Sequence, residues 1–306
     1  MNLQLVSLPL LFVSAACVAS QPEEAGKVAW ARDLDAALAT SKSTGKPVFA
    51  LFQEIPGCAG CKQFGNEVLS NPLLVEAIEN EFVPLLIHNN KPGPDAAVLQ
   101  RFGEPAWNYQ VVRFLDADAT DIIPRKDQIW DTTGIAERMV ATLTKAKRPV
   151  PLYLPLLASA NSPNLRRAVF AMYCFWTGEM ELGKIDGVVT TEAGFLAGHE
   201  VTMVQYDPAL IALPKLIAAA EEVQCANSVY LPEADLAGVT KSRLKVGPIS
   251  GYRPAPASDQ KKQMSGTPVA NLKLTPAQAT KVNAWIRGDA QKALGYLTPA
   301  QQNAVR

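Results

Sequence analysis

The sequence has no surplus charge of either sign. Across 306 residues, 29 Lys and Arg stand against 29 Asp and Glu, so there is no basic field to hold nucleic acid or an anionic membrane, and no acidic tail. Nucleic acid is thereby excluded as a partner. Histidine is scarce at 2 residues and cysteine at 5, which argues against both a metal array and a scaffold stapled by disulfides. No internal repeat or low-complexity stretch interrupts the chain. The apolar stretch from Leu3 to Ala19 is too short to span a membrane and is broken by Gln4, Ser7 and Pro9.

Apolar residues make up 48% of the chain and charged ones 19%, enough for two domains with a core each. The first twenty residues, turning polar at Gln21-Pro22-Glu23-Glu24, read as a secretory signal with a small-residue exit at Val18-Ala19-Ser20. An exported protein, periplasmic or extracellular, is the expectation. A second role open to the segment is a lipoprotein anchor at Cys17, with Ser14 where such signals usually carry leucine; only then would this chain meet a membrane. Without the signal, Cys58, Cys61, Cys174 and Cys225 remain, a set better suited to reactive thiols than to stapling a chain this long.

From Trp30 to Lys145 helix and strand patterns alternate. Trp30, Leu34, Ala37, Leu38 and Ser41 recur at helical spacing until Gly45-Lys46-Pro47, before the apolar strand Val48 to Phe52. Helices are then predicted from Cys58 through Leu69 and from Pro72 to Asn80, a strand from Phe82 to His88 and a short helix from Asp95 to Phe102. A strand from Val111 to Asp116 and a helix from Gly134 to Lys147 close the unit. Too few strands for a barrel, this order predicts a compact α/β domain over 22–148. Residues 149–160 predict an extended proline-rich linker, followed by a second domain over 161–306. Thr-Pro pairs at Thr275 and Thr298 predict two C-terminal helices.

Cys58-Ala59-Gly60-Cys61 places two thiols at the start of a predicted helix, where amide N–H groups and the helix dipole lower the first thiol's pKa. Cys58 is the candidate attacking thiolate and Cys61 the thiol that resolves the mixed disulfide. The competing role is half of a zinc site, whose further ligands would have to come from His88, His199 or the distant cysteines, none in paired spacing. Together with Gly45-Lys46-Pro47-Val48 and Phe114-Leu115-Asp116-Ala117-Asp118, the pair resembles the thioredoxin superfamily. More narrowly, Ile55-Pro56-Gly57-Cys58 with Phe64 and Pro72-Leu73-Leu74 is similar to a bacterial thioredoxin-like family marked by Val-Pro-Gly-selenocysteine-x-x-Thr, here with sulfur for selenium and Cys61 for threonine. Gln110 stands where thioredoxins carry a cis-proline facing the dithiol.

In the second half, Cys174 directly ahead of Phe175 and Trp176 is, on residue type alone, the pattern of a core thiol. The surrounding order changes that. Cys174-Phe175-Trp176, Gly187-Val188-Val189-Thr190-Thr191, Gly194-Phe195-Leu196-Ala197-Gly198, His199-Glu200 and Tyr206-Asp207-Pro208 resemble, in sequence, the core of peptide methionine sulfoxide reductase A. The resemblance implies a ferredoxin-like α+β domain, with Cys174 as the nucleophile on sulfoxide sulfur. It also implies Phe175 and Trp176 as the pocket for the substrate methyl group, Glu200 as the acid for the sulfoxide oxygen, and Asp259 with Gln263 at the pocket border. Glu200 is otherwise a solvated loop carboxylate. The family's insertion bearing Asn-Pro-Thr-Tyr is missing, Met264 stands at its second tyrosine and Tyr173 at its glycine. Tyr230 and Tyr252 are the candidate replacements by residue type.

Cys225 is the thiol left to condense with a sulfenic acid on Cys174; its other role is a buried structural thiol. The fusion implies that Cys58 and Cys61 reopen a Cys174–Cys225 disulfide. The whole reads as an α/β (α+β) oxidoreductase acting on oxidised proteins or peptides, recharged by an external thiol or membrane electron donor, with no cofactor. The alternative is a disulfide reductase or isomerase whose second domain is a degenerate binding platform.

Overall fold

The structure is a computed structural model that describes residues 21–106, 110–239 and 243–306; the signal segment and Cys17 lie outside the described residues. Asp33 starts α1 (Leu34–Thr44) by accepting the Ala36 N–H, and Gly45 ends it in the left-handed conformation that a Cβ disfavours. Trp30, four residues upstream of Leu34, precedes the helix and packs on the opposite face of β1 from Leu34 and Ala37. Every residue of β1 (Val48–Gln53) is buried. Phe49 and Leu51 join Phe82 and Phe114 on one face, while Ala50 and Phe52 join Leu34 and Leu99 on the other. Burial on both faces is why this strand reads as an unbroken apolar run, each large side chain contributing about 1.5–3 kcal/mol.

Next come α2 (Ala59–Gln63), prolonged by a π-helical turn over Phe64–Val68, then α3 (Pro72–Glu81), β2 (Val83–His88), α4 (Pro94–Phe102), β3 (Val111–Leu115) and α5 (Thr132–Lys145). The strands lie in the order β2-β1-β3, β2 parallel and β3 antiparallel to β1. Single-residue bridges, Ala31 to Leu85 and Leu115 to Asp121, extend the two edges.

The linker expected over 149–160 is corrected in its larger part: Tyr153–Ala160 is a helix, α6. Its residues Tyr153, Leu154 and Leu157 bury in the core of the first domain, while Leu156 packs on Val189 and Ala277 of the second. Pro155 does not break it, because a missing N–H in the first turn leaves no hydrogen bond unmade. The connection between the domains is therefore a shared core helix.

The second domain runs β4 (Arg166–Ala171), α7 (Phe175–Lys184), β5 (Val188–Leu196), β6 (His199–Tyr206), α8 (Leu213–Glu222), β7 (Ser228–Leu231), α9 (Glu233–Leu236), β8 (Lys245–Pro248) and β9 (Arg253–Pro254). Helices α10 (Pro276–Trp285), α11 (Ala290–Gly295) and α12 (Pro299–Asn303) follow. The strand order is β8-β7-β4-β6-β5-β9, antiparallel throughout except between β7 and β8. Leu182 of α7 with Leu216 and Ile217 of α8 cover one face, against Phe170, Val204 and Val229. Thr275 and Thr298 begin α10 and α12 with complete capping boxes. At the junction, Glu76 of α3 accepts the Thr298 hydroxyl at 2.7 Å and the Ala300 N–H at 3.0 Å, holding α12 against the first domain.

Candidate active site

β1 delivers the chain to Gln53, whose buried amide donates to the Glu24 and Cys61 carbonyls at 2.8 and 3.1 Å. The turn that follows needs glycine at position 57. A Cβ there would lie 2.3 Å from the Glu54 carbonyl oxygen and 2.7 Å from the Cys61 Cβ, and the Gly57 N–H donates to Glu24 Oε1 at 2.8 Å. Cys58 is thus left exposed as the N-cap of α2, with Cys61 buried one turn on and the two free sulfurs 3.3 Å apart.

The two thiols are electrostatically unequal. The Cys61 backbone N–H, then the Cys61 thiol, hold Cys58 below its ordinary value of 9.0, whereas burial, then the contact with Cys58, pushes Cys61 up to about 12. That split is the arrangement for Cys58 to attack and Cys61 to resolve. A Glu54 carboxylate oxygen, the Cys58 sulfur and the Cys61 sulfur all lie within 4.8 Å of one another, an acidic neighbour that the cysteine spacing does not disclose. Gln110 precedes Val111, which pairs with Phe52, so it stands at the dithiol end of the sheet. It is buried, and its side-chain Oε1 has no hydrogen-bond partner among the described residues.

Cys174, Glu200 and Cys225 come together at one end of the second sheet. β4 ends at Ala171, the Met172 N–H donates to the Glu200 carbonyl at 3.1 Å, and Cys174 becomes the N-cap of α7. Glu200, on the neighbouring strand, turns its carboxyl group onto the Phe175 N–H, the first amide of α7, at 2.9 Å. It is therefore a strand residue bound at the start of α7, not a solvated loop carboxylate. Cys225 reaches the same end because β7 is antiparallel to β4: Ser228 pairs with Ala171, and the Asn227 N–H donates to the Ala171 carbonyl at 2.8 Å. Its thiol is pushed up to about 11, first by burial and then by Glu181, with Cys174 among the charges that act on it.

Phe175 and Trp176 form an aromatic cluster with Phe195 of β5, ring centroids 6.1 and 5.5 Å from that of Phe175, packed on Ala193 and Ala255; the resemblance expects the substrate methyl group here. Asp259 reaches this cluster only indirectly: its carboxylate lies 3.9 Å from Lys262 Nζ, which sits 4.8 Å above the Trp176 ring. Three polar residues packed behind this cluster were not foreseen. Lys261, at a φ of 51°, binds the fully buried carboxylate of Glu179 through both its N–H and its ammonium group. Gln260 pairs its amide with the N–H and C=O of Ala193 at 2.9 and 2.8 Å. The signal for Glu179 is its place four residues after Phe175 on the buried face of α7, where an acid requires a partner.

The hydroxyl positions are resolved differently. Met264 packs in the core of the C-terminal helices with Val282 and Leu297, so that position offers the cluster nothing polar. Tyr252 lies across Gly194, its hydroxyl 3.4 Å from the Ala193 carbonyl and its pKa raised by burial. Tyr230 lines a separate cleft of about 340 Å³ with Met172, His199, Asn227 and Lys245, at the Cys174 end of the sheet. Tyr173 is 95% exposed, so the departure from glycine there crowds nothing.

These sites and folds define the class: a thioredoxin-like domain joined to a second, thiol-bearing α+β domain. A thioredoxin-like family model matches residues 29–117. The chain is also similar to peptide methionine sulfoxide reductases. MsrA 1 of Nostoc sp. is 30% identical over 79 residues, covering 20% of this chain and 48% of that protein. The A5 protein of Arabidopsis thaliana is 28% identical over 120 residues, covering 34% and 47%. The solved methionine sulfoxide reductase A of Corynebacterium diphtheriae aligns with 39% of this chain and 82% of its own at 18% identity and a TM-score of 0.29. The chain spans about half the length of these two curated relatives.

Proposed function

We propose that the protein reduces methionine sulfoxide in oxidised proteins or peptides at Cys174, using electrons that enter through Cys58 and Cys61. The observation that carries this is the seating of the Glu200 carboxyl at the first N–H after Cys174, with Cys225 at the adjoining strand end. The names of the curated relatives support the substrate class. The Cys174 thiolate attacks the sulfoxide sulfur, and Glu200, in its protonated form, delivers a proton to the sulfoxide oxygen. Methionine leaves and the oxygen stays as a sulfenic acid on Cys174. The Cys225 thiol then displaces it as water, forming the Cys174–Cys225 disulfide. The Cys58 thiolate opens that disulfide, Cys61 releases the mixed disulfide, and an external thiol donor recharges the pair. The apolar leader supports action in a periplasmic or extracellular setting, which cell fractionation of the tagged protein checks.

Methionine formation from a sulfoxide peptide, with a dithiol reductant present, tests the reading. Wild type is expected to form methionine and Cys174→Ser none; equal, background rates in both would end it. One observation favours the alternative of a disulfide reductase with a binding platform: Met264 is a core residue and leaves one sulfoxide-binding position without a hydroxyl. Under that alternative, insulin reduction persists in Cys174→Ser and is lost in Cys58→Ser.

A further inference from the structure

Sheet direction sets the two thiol pairs apart. The second domain meets the first through the start of β5 and the end of β6: Val189 packs on Leu156, and Thr190 and Gln205 line a cavity of about 280 Å³ with Asn71 and Leu73 of the first domain. In the sheet, Val188 pairs with Tyr206 and Tyr206 with Arg166, which fixes this as the junction end. Cys174, Glu200 and Cys225 occupy the opposite end: Cys174 beyond Ala171, Glu200 opposite Phe195 and Cys225 ahead of Ser228. The nine residues of β5 put on the order of 25–30 Å between the two ends.

The junction is also built to stay closed. Helix α6 is shared core, and Glu76 fixes α12 through the buried Thr298 hydroxyl and the Ala300 N–H. A tether raises effective concentration only when its geometry lets both partners engage, and here it holds the first domain at the end of the sheet remote from Cys174. What the free end offers is the cleft bordered by Met172 and Asn227, with the exposed ammonium of Lys245 and the exposed imidazole of His199 on its wall. The dithiol carries the opposite charge at its rim, in Glu54.

We propose that electrons pass between two copies of the chain: the dithiol of one molecule docks at the free end of the other molecule's sheet and reduces its Cys174–Cys225 disulfide. This rests on the function proposed above. Cys58 of the donor copy attacks the acceptor disulfide and forms an intermolecular mixed disulfide; Cys61 then displaces the acceptor sulfur. The donor ends as the Cys58–Cys61 disulfide and the acceptor regains two thiols, a two-electron exchange with no other reductant.

Two full-length variants test it. The donor is Cys174→Ser/Cys225→Ser, reduced and freed of reductant; the acceptor is Cys58→Ser/Cys61→Ser, turned over once with a methionine sulfoxide peptide. Methionine release from the acceptor is read first, and none would overturn the reading beneath the inference together with it. After mixing, alkylation and mass analysis are expected to show two thiols gained by the acceptor and two lost by the donor. In reduced wild type given substrate, the rate constant for oxidation of Cys58 and Cys61 should rise about tenfold for tenfold more protein. Methionine release followed by oxidation of the wild-type dithiol at a rate independent of protein concentration would overturn the inference alone.

Discussion

The Glu200 carboxylate accepts the Phe175 N–H at 2.9 Å, so the candidate acid is bound to the residue that follows the candidate nucleophile. Glu200→Gln keeps an acceptor for that N–H and removes the proton donor. Sulfoxide reduction is expected to fall by about 10²-fold or more, while alkylation of Cys174 and the melting temperature stay near wild type. A matching loss of folding would mean that the carboxylate serves only as a cap.

The thiols should separate by pH. With Cys58 held below 9.0 and Cys61 pushed to about 12, alkylation of the reduced dithiol is expected at Cys58 alone at neutral pH, with a midpoint below that of a free thiol. Tryptic mapping after iodoacetamide checks this. Cys225 has a folded pKa raised from 9.0 to about 11. The stability it contributes is present below pH 9 and is lost as pH rises towards 11, because the unfolded thiol ionises first. Denaturation midpoints across that window should fall less steeply in Cys225→Ala.

Glu179 has no exposure, and its charge is matched by Lys261. Glu179→Ala strands that ammonium and should cost about 3–5 kcal/mol in urea denaturation. The double change Glu179→Leu/Lys261→Met should recover much of the loss, since an apolar pair leaves no buried charge.

Glu76→Ala leaves the buried Thr298 hydroxyl without its acceptor. A loss of about 1–3 kcal/mol is expected, together with faster proteolytic cleavage between the two domains.

Local signals disclosed much of this molecule. The β1 run, the Gly45 stop and the Thr-Pro starts act within a few residues, and each element lies where its pattern put it. The fusion of a thioredoxin-like unit with a sulfoxide-reductase-like one was legible because motif order survives divergence. Residues 149–160 were misread because proline signals extended backbone by local preference, whereas Tyr153, Leu154 and Leu157 gain more by burial in the first core. Glu54, Gln260 and Lys261 were invisible because their roles depend on segments brought together by the fold, as Lys261 with Glu179 across 82 residues shows. Gln110 immediately precedes Val111, the partner of Phe52; that its side-chain oxygen is buried and unpaired among the described residues follows only from packing.

The central claim is tested most directly by mapping disulfides in Cys58→Ser/Cys61→Ser after one equivalent of a methionine sulfoxide peptide, with no reductant present. The expected result is one methionine formed per chain and a single Cys174–Cys225 disulfide by mass spectrometry. Unchanged peptide with both thiols still free would contradict the account.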